Sequence, residues 1–401
     1  MESSEPTPEL TSDLSNYDGS VIKVDFPDGS SERFHVAWLR DSCQCEQCIS
    51  PLTKDKKLNP ADIDFKNLKP LKIVNNGSEL LIDWYDGSPH HSCYKLSWLM
   101  LFKGKFGESS EPQDGVYAPK EIVGEFPWNV SIINPIYDHH YSFESIMTDD
   151  STLESLLKDI LSYGIAFVSG APTEKETVLS IARRIAYERI SGYGSTFDVV
   201  VNPSPDAHFS YSSNPLELHT DLCYRERVPG IQMLHCIKAA VNGGDSYFAD
   251  GLYCCQQLQK FQPEMFEILT KPVMFSFFDS QRGIWFRQKW PVIVTEPGDQ
   301  NSVIIKEVNL SYFSMRAPLL PHDQMESFFT AFKQLFSYTR CTSNRLSCKL
   351  KDGDVVIFNN RRVFHGREGY DSLKEKRFLQ GCYMDLDEIQ GLYEKLSTKS
   401  G

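Results

Sequence analysis

Strand-like segments of only a few residues, each closed by a turn signal, recur along most of the chain and restrict the fold more than any other feature. Val21 to Phe26 alternates apolar and polar residues and runs into Pro27-Asp28-Gly29. Ile73 to Trp84 reads as two strands split by Asn75-Asn76-Gly77 and closed by Asp86-Gly87, the punctuation of hairpins. Further strands are predicted at Gly164–Val168, Ile231–Ile237, Val303–Glu307, Val355–Phe358 and Phe378–Met384. Helical spacing is confined to a few stretches. Asp150 to Leu161 places Leu153, Leu156, Leu157 and Ile160 on one face. Glu176 to Ala186 follows Thr173 and Glu176 at capping-box spacing. Cys254–Leu269, Asp323–Phe336 and a short segment within Ser92–Phe102 complete the predicted helices. The expected fold is mixed but mainly β, a sheet core supported by helices.

A chain of 401 residues exceeds one small domain and suits two units. Residues 1–18 are acidic, polar and proline-containing and are expected to be disordered. Residues 19–110 form a β-rich module, 111–140 a linker, and 141–401 the larger unit. Hydrophobic residues make up 41% of the chain, enough for a core. A net charge of −13 argues against a nucleic-acid surface, which needs clustered Lys and Arg. No apolar run approaches the ~20 residues of a membrane span. The first residues carry Glu2, Glu5, Glu9 and Asp13 without Lys or Arg, unlike a mitochondrial presequence or a secretory signal. A cytoplasmic protein is expected, and the 11 cysteines are then read as metal ligands or buried thiols, not disulfides.

Leu216 to Asp221 alternates like a strand, so His219 and Asp221 point the same way. His365 lies just beyond the strand Asp354–Phe358, which is entered through a turn at Gly353. Two imidazoles and one carboxylate leave three adjacent coordination positions open, the arrangement of non-haem iron(II) oxygenases. A 2-oxo acid can chelate through two of these positions and oxygen can take the third. A dicarboxylate co-substrate needs a cation for its far end, and Arg377 supplies a guanidinium suited to bidentate pairing. By period-two counting Arg377 and Tyr383 share a face. Each of these residues alone has a plainer reading, as a core histidine or a surface arginine; their order at strand ends carries the iron assignment. Separately, Cys43, Cys45 and Cys48 place three thiols within six residues, which suits tetrahedral zinc. The fourth ligand is His90, His91 or Cys93. With no acid or base nearby, the site is read as structural, pinning a module whose core is small.

Val228 to Lys238, Gly243-Gly244-Asp245-Ser246 and Asp250-Gly251 resemble the block that follows the iron motif in the γ-butyrobetaine/trimethyllysine dioxygenase family, and Asn359 to Arg367 resembles its distal histidine block. The similarity runs from about Tyr17 to the C-terminus. It implies a double-stranded β-helix (jelly roll) behind a small N-terminal zinc module, iron(II), 2-oxoglutarate, ascorbate and structural zinc, and a homodimer. The implied reaction is hydroxylation of γ-butyrobetaine to L-carnitine with release of succinate and carbon dioxide; trimethyllysine hydroxylation is the nearest alternative. An inactive jelly roll fused to a zinc-binding interaction module is a different reading, against which the intact ligand set counts. The resemblance assigns His219, Asp221 and His365 to iron, Arg377 to 2-oxoglutarate and His90 to zinc. A trimethylammonium group donates no hydrogen bond and is best held by ring faces; Tyr193, Phe197, Tyr211 and Tyr383 match the family's aromatic cage by position. Phe197 stands where the mammalian-type pattern has Trp. His208 stands where γ-butyrobetaine enzymes have Asn, and Asn309 matches an Asn-containing stretch for the substrate carboxylate. A protonated His208 could pair with that carboxylate.

Overall fold

The computed structural model describes residues 15–53, 55–85, 89–104, 106, 124–201, 212–280, 282–298, 302–372 and 376–398. The chain divides into two compact units, Met1–Ala118 and Pro119–Gly401.

In the first unit, β1 (Val21–Asp25) and β2 (Ser31–His35) form an antiparallel hairpin. A meander follows of β3 (Lys69–Asn75), β4 (Glu79–Tyr85) and β5 (Pro89–Lys95). Alternate residues turn inward, and Ile22, Val24, Phe34, Leu80, Ile82, Trp84 and Tyr94 make the core with Leu39 and Leu99. The short helix expected within Ser92–Phe102 is confined to Leu96–Met100. Ser92 and Tyr94 are buried while their neighbours are not, so the strand's two-residue period overrides helix formation there.

The strands of the second unit are, in chain order, β6 (Tyr141–Ser142), β7 (Ile165–Ser169), β8 (Phe197–Val199), β9 (Leu216–His219), β10 (Ile231–Lys238), β11 (Ser246–Asp250), β12 (Pro272–Asp279), β13 (Ile284–Pro291), β14 (Ile293–Pro297), β15 (Val303–Val308), β16 (Arg345–Cys348), β17 (Val355–Asn359), β18 (Val363–Arg367) and β19 (Phe378–Met384). A six-stranded sheet has the order β6-β7-β17-β10-β19-β8, and a four-stranded sheet the order β16-β11-β18-β9. Phe167, Leu234 and Phe358 of the first share one buried cluster with Phe248, Leu346 and Val363 of the second. Two sheets, antiparallel except for the β6–β7 pair, closed face to face over an apolar filling make a jelly roll. The hairpins β12–β13 and β14–β15 extend it.

Helices seal the outer faces. Asp150–Tyr163, Thr177–Ile185 and Leu386–Ser397 bury Leu153, Leu157, Val178, Ile181 and Ile389 against the larger sheet. Asp149 caps the first of these through Ser151 and Thr152 N–H groups, and Gly164 ends it at φ 76°, a left-handed position that glycine takes without strain. The capping box expected at Thr173 and Glu176 does not form. Glu176 is itself the N-cap, at φ 68° with no side-chain cap, and its N–H donates to Gln380 Oε1 at 2.5 Å. A tertiary partner thus takes the donor that a local box would have satisfied. The helix expected over Cys254–Leu269 is two, Gly251–Phe261 and Pro263–Leu269, because Pro263 lacks the N–H needed to continue the first. No helix among the described residues is long and apolar enough to cross a membrane.

At the end of β11 the Asp250 carboxylate pairs with Arg362 at the entry to β18, with side-chain exposures of 0% and 4%. Asp250→Ala leaves the Arg362 charge buried and unpaired, so denaturant unfolding of the protein should show a loss of about 3–5 kcal/mol. On β10, His235 is fully buried and neither ring nitrogen has a hydrogen-bond partner among the described residues. Burial pushes its pKa down to about 4. The unfolded chain, with an ordinary imidazole, binds the proton first, so stability rises with pH between about 4 and 6.5. Between pH 7 and pH 5 this residue should remove about 2 kcal/mol of stability. His235→Leu should lose that part of the pH dependence, read as a smaller shift of the denaturation midpoint.

Candidate active site

His219 closes β9, and its Nδ1 donates to the Glu217 carbonyl at 2.8 Å. That bond leaves the Nε2 lone pair available, and Nε2 lies 3.3 Å from Asp221 Oδ1. Asp221 is not on the strand, as the alternation had suggested. The strand ends at His219, and Leu222 turns the chain at φ 60°. The turn is fixed by Asn360, whose Oδ1 accepts from Asp221 N–H at 2.8 Å while its Nδ2 donates to the carbonyls of Asp221 and Pro229 at 3.1 and 3.2 Å. His365 likewise does not hang beyond β17. Residues 359–362 carry the chain from the larger sheet to the smaller, and His365 sits within β18, in register with His219. The ring centroids are 4.2 Å apart, and His365 Nε2 is 3.9 Å from Asp221 Oδ2. One donor atom from each of the three residues falls within 4.8 Å of the others.

The charge states suit a metal. Burial, reinforced by the neighbouring His219, pushes His365 down to about 3 and keeps its imidazole neutral. Burial alone would raise the Asp221 carboxyl, but the two imidazoles beside it and the Tyr383 hydroxyl outweigh it and hold the carboxyl below the usual range. Tyr383 O–H donates to Asp221 Oδ2 at 2.8 Å. Burial and the Asp221 charge drive that phenol well above its ordinary value, so it stays a donor.

A cavity between the sheets contains this triad. At one end stand Tyr193, Phe197, Tyr224 and Tyr383. Phe197 stacks on Tyr383 at 4.8 Å and lies 6.4 Å from Tyr193. A Cβ on Gly381 would come within 2.3 Å of the Phe197 ring, so a bare backbone on β19 is what lets that ring lie over the sheet. At the other end stand Arg367, Arg377 and Ser246. The two guanidiniums are 5% and 8% exposed, and burial lowers the pKa of each. Arg367 donates to the carbonyls of Ser212 and Asn214. Thus Arg377 and Tyr383 do line one cavity, as their shared face predicts.

Not every expected residue arrives. Asn309 is buried and donates to the Pro291 carbonyl at 3.1 Å, and it is not among the cavity residues. Its strand-end position delivers it to the backbone of the neighbouring hairpin. His208 and Tyr211 lie outside the described residues. Sequence reasoning missed Tyr224, Gln232, Phe313, Arg367 and the brace Asn360. Arg367 was legible as a residue two beyond His365 on the same strand face; the others carry no local signal.

In the first unit, Cys43, Cys45, Cys48 and His90 gather within 4.8 Å. His90 Nε2 lies 3.3, 3.7 and 3.6 Å from the three sulfurs in turn. Ser92 O–H donates to Cys43 Sγ at 3.1 Å and Arg40 to Cys48 Sγ at 3.4 Å. His91 points to the other face of β5, with its Nδ1 2.6 Å from Asp83. Cys93, two residues on, also lies off the cluster, beside Glu79.

The family model described as "Taurine catabolism dioxygenase TauD, TfdA family" matches residues 133–383, and "Gamma-butyrobetaine hydroxylase-like, N-terminal" matches residues 14–100. A gamma-butyrobetaine dioxygenase of Pseudomonas sp. (strain AK-1) is 30% identical over 372 residues, 92% of this chain and 92% of that protein. The mitochondrial trimethyllysine dioxygenase of Mus musculus is 29% identical over 364 residues, 90% of this chain and 82% of that protein. Among solved structures, a taurine dioxygenase from Burkholderia xenovorans aligns with a TM-score of 0.45 and 13% identity, over 59% of this chain and 82% of that one.

Proposed function

Because this chain belongs to the TauD, TfdA family and is an iron(II)- and 2-oxoglutarate-dependent dioxygenase, we propose that it hydroxylates γ-butyrobetaine to L-carnitine. The observation that carries this reading is one cavity holding a two-histidine, one-carboxylate set between a wall of aromatic faces and a pair of buried guanidiniums. Similarity to a gamma-butyrobetaine dioxygenase, 30% identical, and to a trimethyllysine dioxygenase, 29% identical, supports a trimethylammonium substrate.

In this reading His219, Asp221 and His365 hold the iron. Two imidazoles and a carboxylate are a donor set that iron(II) accepts while keeping positions open. Arg377 receives the far carboxylate of 2-oxoglutarate, with the Ser246 hydroxyl beside it. When bound, iron and 2-oxoglutarate together supply oxidation by molecular oxygen: one oxygen atom enters the substrate C–H bond and the other enters succinate, with carbon dioxide released. The protein's own work is orientation and exclusion of water. Tyr193, Phe197 and Tyr383 offer π faces to the trimethylammonium group. Tyr383 does a second task, since its hydroxyl holds Asp221 Oδ2. Leu222, Leu234, Phe248 and Phe313 keep the cavity between the two ends apolar. Phe in place of Trp at position 197 gives a weaker π face and a lower affinity for the cation.

Cys43, Cys45, Cys48 and His90 bind a structural zinc in the same proposal. Three thiols and one imidazole complete a tetrahedron without an open position. The small core of this unit gives the metal a stabilising part to play.

Purified protein supplied with iron(II), ascorbate and 2-oxoglutarate should convert γ-butyrobetaine with equal amounts of succinate and hydroxylated product, read by mass spectrometry. Product from trimethyllysine alone would overturn the substrate, and substrate-stimulated succinate from neither would overturn the reading. His219→Ala should lose both iron and turnover. For zinc, His90→Ala should lose the metal by elemental analysis and His91→Ala should retain it; the reverse pattern would sink the ligand assignment.

A further inference from the structure

The two oxygens of Asp221 have different neighbours. Oδ1 lies 3.3 Å from His219 Nε2. Oδ2 accepts from the Tyr383 hydroxyl at 2.8 Å and lies 3.9 Å from His365 Nε2. Two atoms that bind one metal at right angles, each about 2.1 Å from it, stand about 3 Å apart. Oδ1 has close to that spacing from His219, so Oδ1 is the oxygen on the metal side. A carboxylate binds a metal through one oxygen or through both. With one, the three residues leave three positions, two for a chelating 2-oxo acid and one spare. With both, only two positions remain and the 2-oxo acid fills them. The hydrogen bond to Oδ2 bears on this choice, because an ionised oxygen that accepts an O–H has a strong partner other than the metal. Tyr383 is fixed in place to be that partner. It is 3% exposed, its ring stacks on Phe197 at 4.8 Å, and its carbonyl accepts from the Arg189 N–H at 2.7 Å. Asn360 bonds only the backbone of Asp221.

We propose that Tyr383 is a positioning residue whose hydroxyl keeps Asp221 a one-oxygen ligand and so keeps one coordination position free beside a bound 2-oxo acid. This rests on the assignment of His219, Asp221 and His365 to iron above, and it is independent of which trimethylammonium compound is the substrate. The two tasks of Tyr383 belong to different atoms. The ring serves the aromatic wall and the hydroxyl serves the carboxylate, so one substitution separates them. Asn360 and Tyr383 likewise divide the holding of Asp221: the first sets where its backbone stands, and the second sets which way its free oxygen turns.

The test uses Tyr383→Phe, which keeps the ring and its stack and removes the hydroxyl. Anaerobic protein loaded with iron(II) and 2-oxoglutarate is titrated with nitric oxide, a stand-in for oxygen whose complex with iron(II) is read by electron spin resonance. The variant should bind nitric oxide roughly tenfold more weakly than the wild type, the factor for losing one hydrogen bond to a charged group. Its dissociation constants for iron(II) and for 2-oxoglutarate should not weaken, which also reports that it folds. A merely structural role would weaken all three together, and that pattern would overturn the inference. So would equal nitric oxide affinity in variant and wild type. Wild-type protein that binds no iron(II) would refute the iron assignment itself, and that result shows before any variant is made.

Discussion

The buried pair of Asp250 and Arg362 is the constraint on which the catalytic unit depends. Two charges removed from water need their lone pairs and N–H groups satisfied, and here both carboxylate oxygens of Asp250 accept two bonds each and Arg362 makes four. Asp250 accepts from Arg362 Nε and Nη2 and from the N–H groups of Leu252 and Trp128. Arg362 also donates to the carbonyls of Ser162 and Phe126. Five stretches of chain thus converge: the end of β11, the helix that follows it, the 126–128 segment, the end of the helix Asp150–Tyr163, and the turn into β18. The turn places His365 three residues later, so a structural ion pair sets where one member of the triad stands.

The triad is assembled by two sheets and a turn, not by one strand. His219 and His365 come from neighbouring strands of the smaller sheet. Asp221 leaves that sheet and is held by Asn360 and by Tyr383, the latter from the larger sheet. Tyr383 therefore joins the metal set to the aromatic wall, and a change in the ring stack is felt at the carboxylate.

The first unit solves a different problem by a simpler rule. Three thiols close in sequence can take a fourth partner, and β5 decides which side chain joins them. Strand residues alternate between faces, so His90 meets the sulfurs while His91 and Cys93 turn away. The spacing of Cys43, Cys45 and Cys48 defined the need, and strand pairing selected the histidine.

Local pattern alone determined much of this protein. Turn residues and period-two alternation marked most of the strands, leucine spacing marked the helix Asp150–Tyr163, and residue chemistry singled out His219, Asp221, His365, Arg377 and the cysteines. These depend on neighbours a few positions apart, which sequence displays directly. The choice of His90 beside the three thiols, the failed capping box at Glu176, the break at Gln262, the exclusion of Asn309 and the brace of Asn360 were decided elsewhere. Pro263 apart, each depends on which distant strand or carbonyl supplies a hydrogen-bond partner or a wall. That pairing is a property of two segments brought together, so only the tertiary structure could fix it.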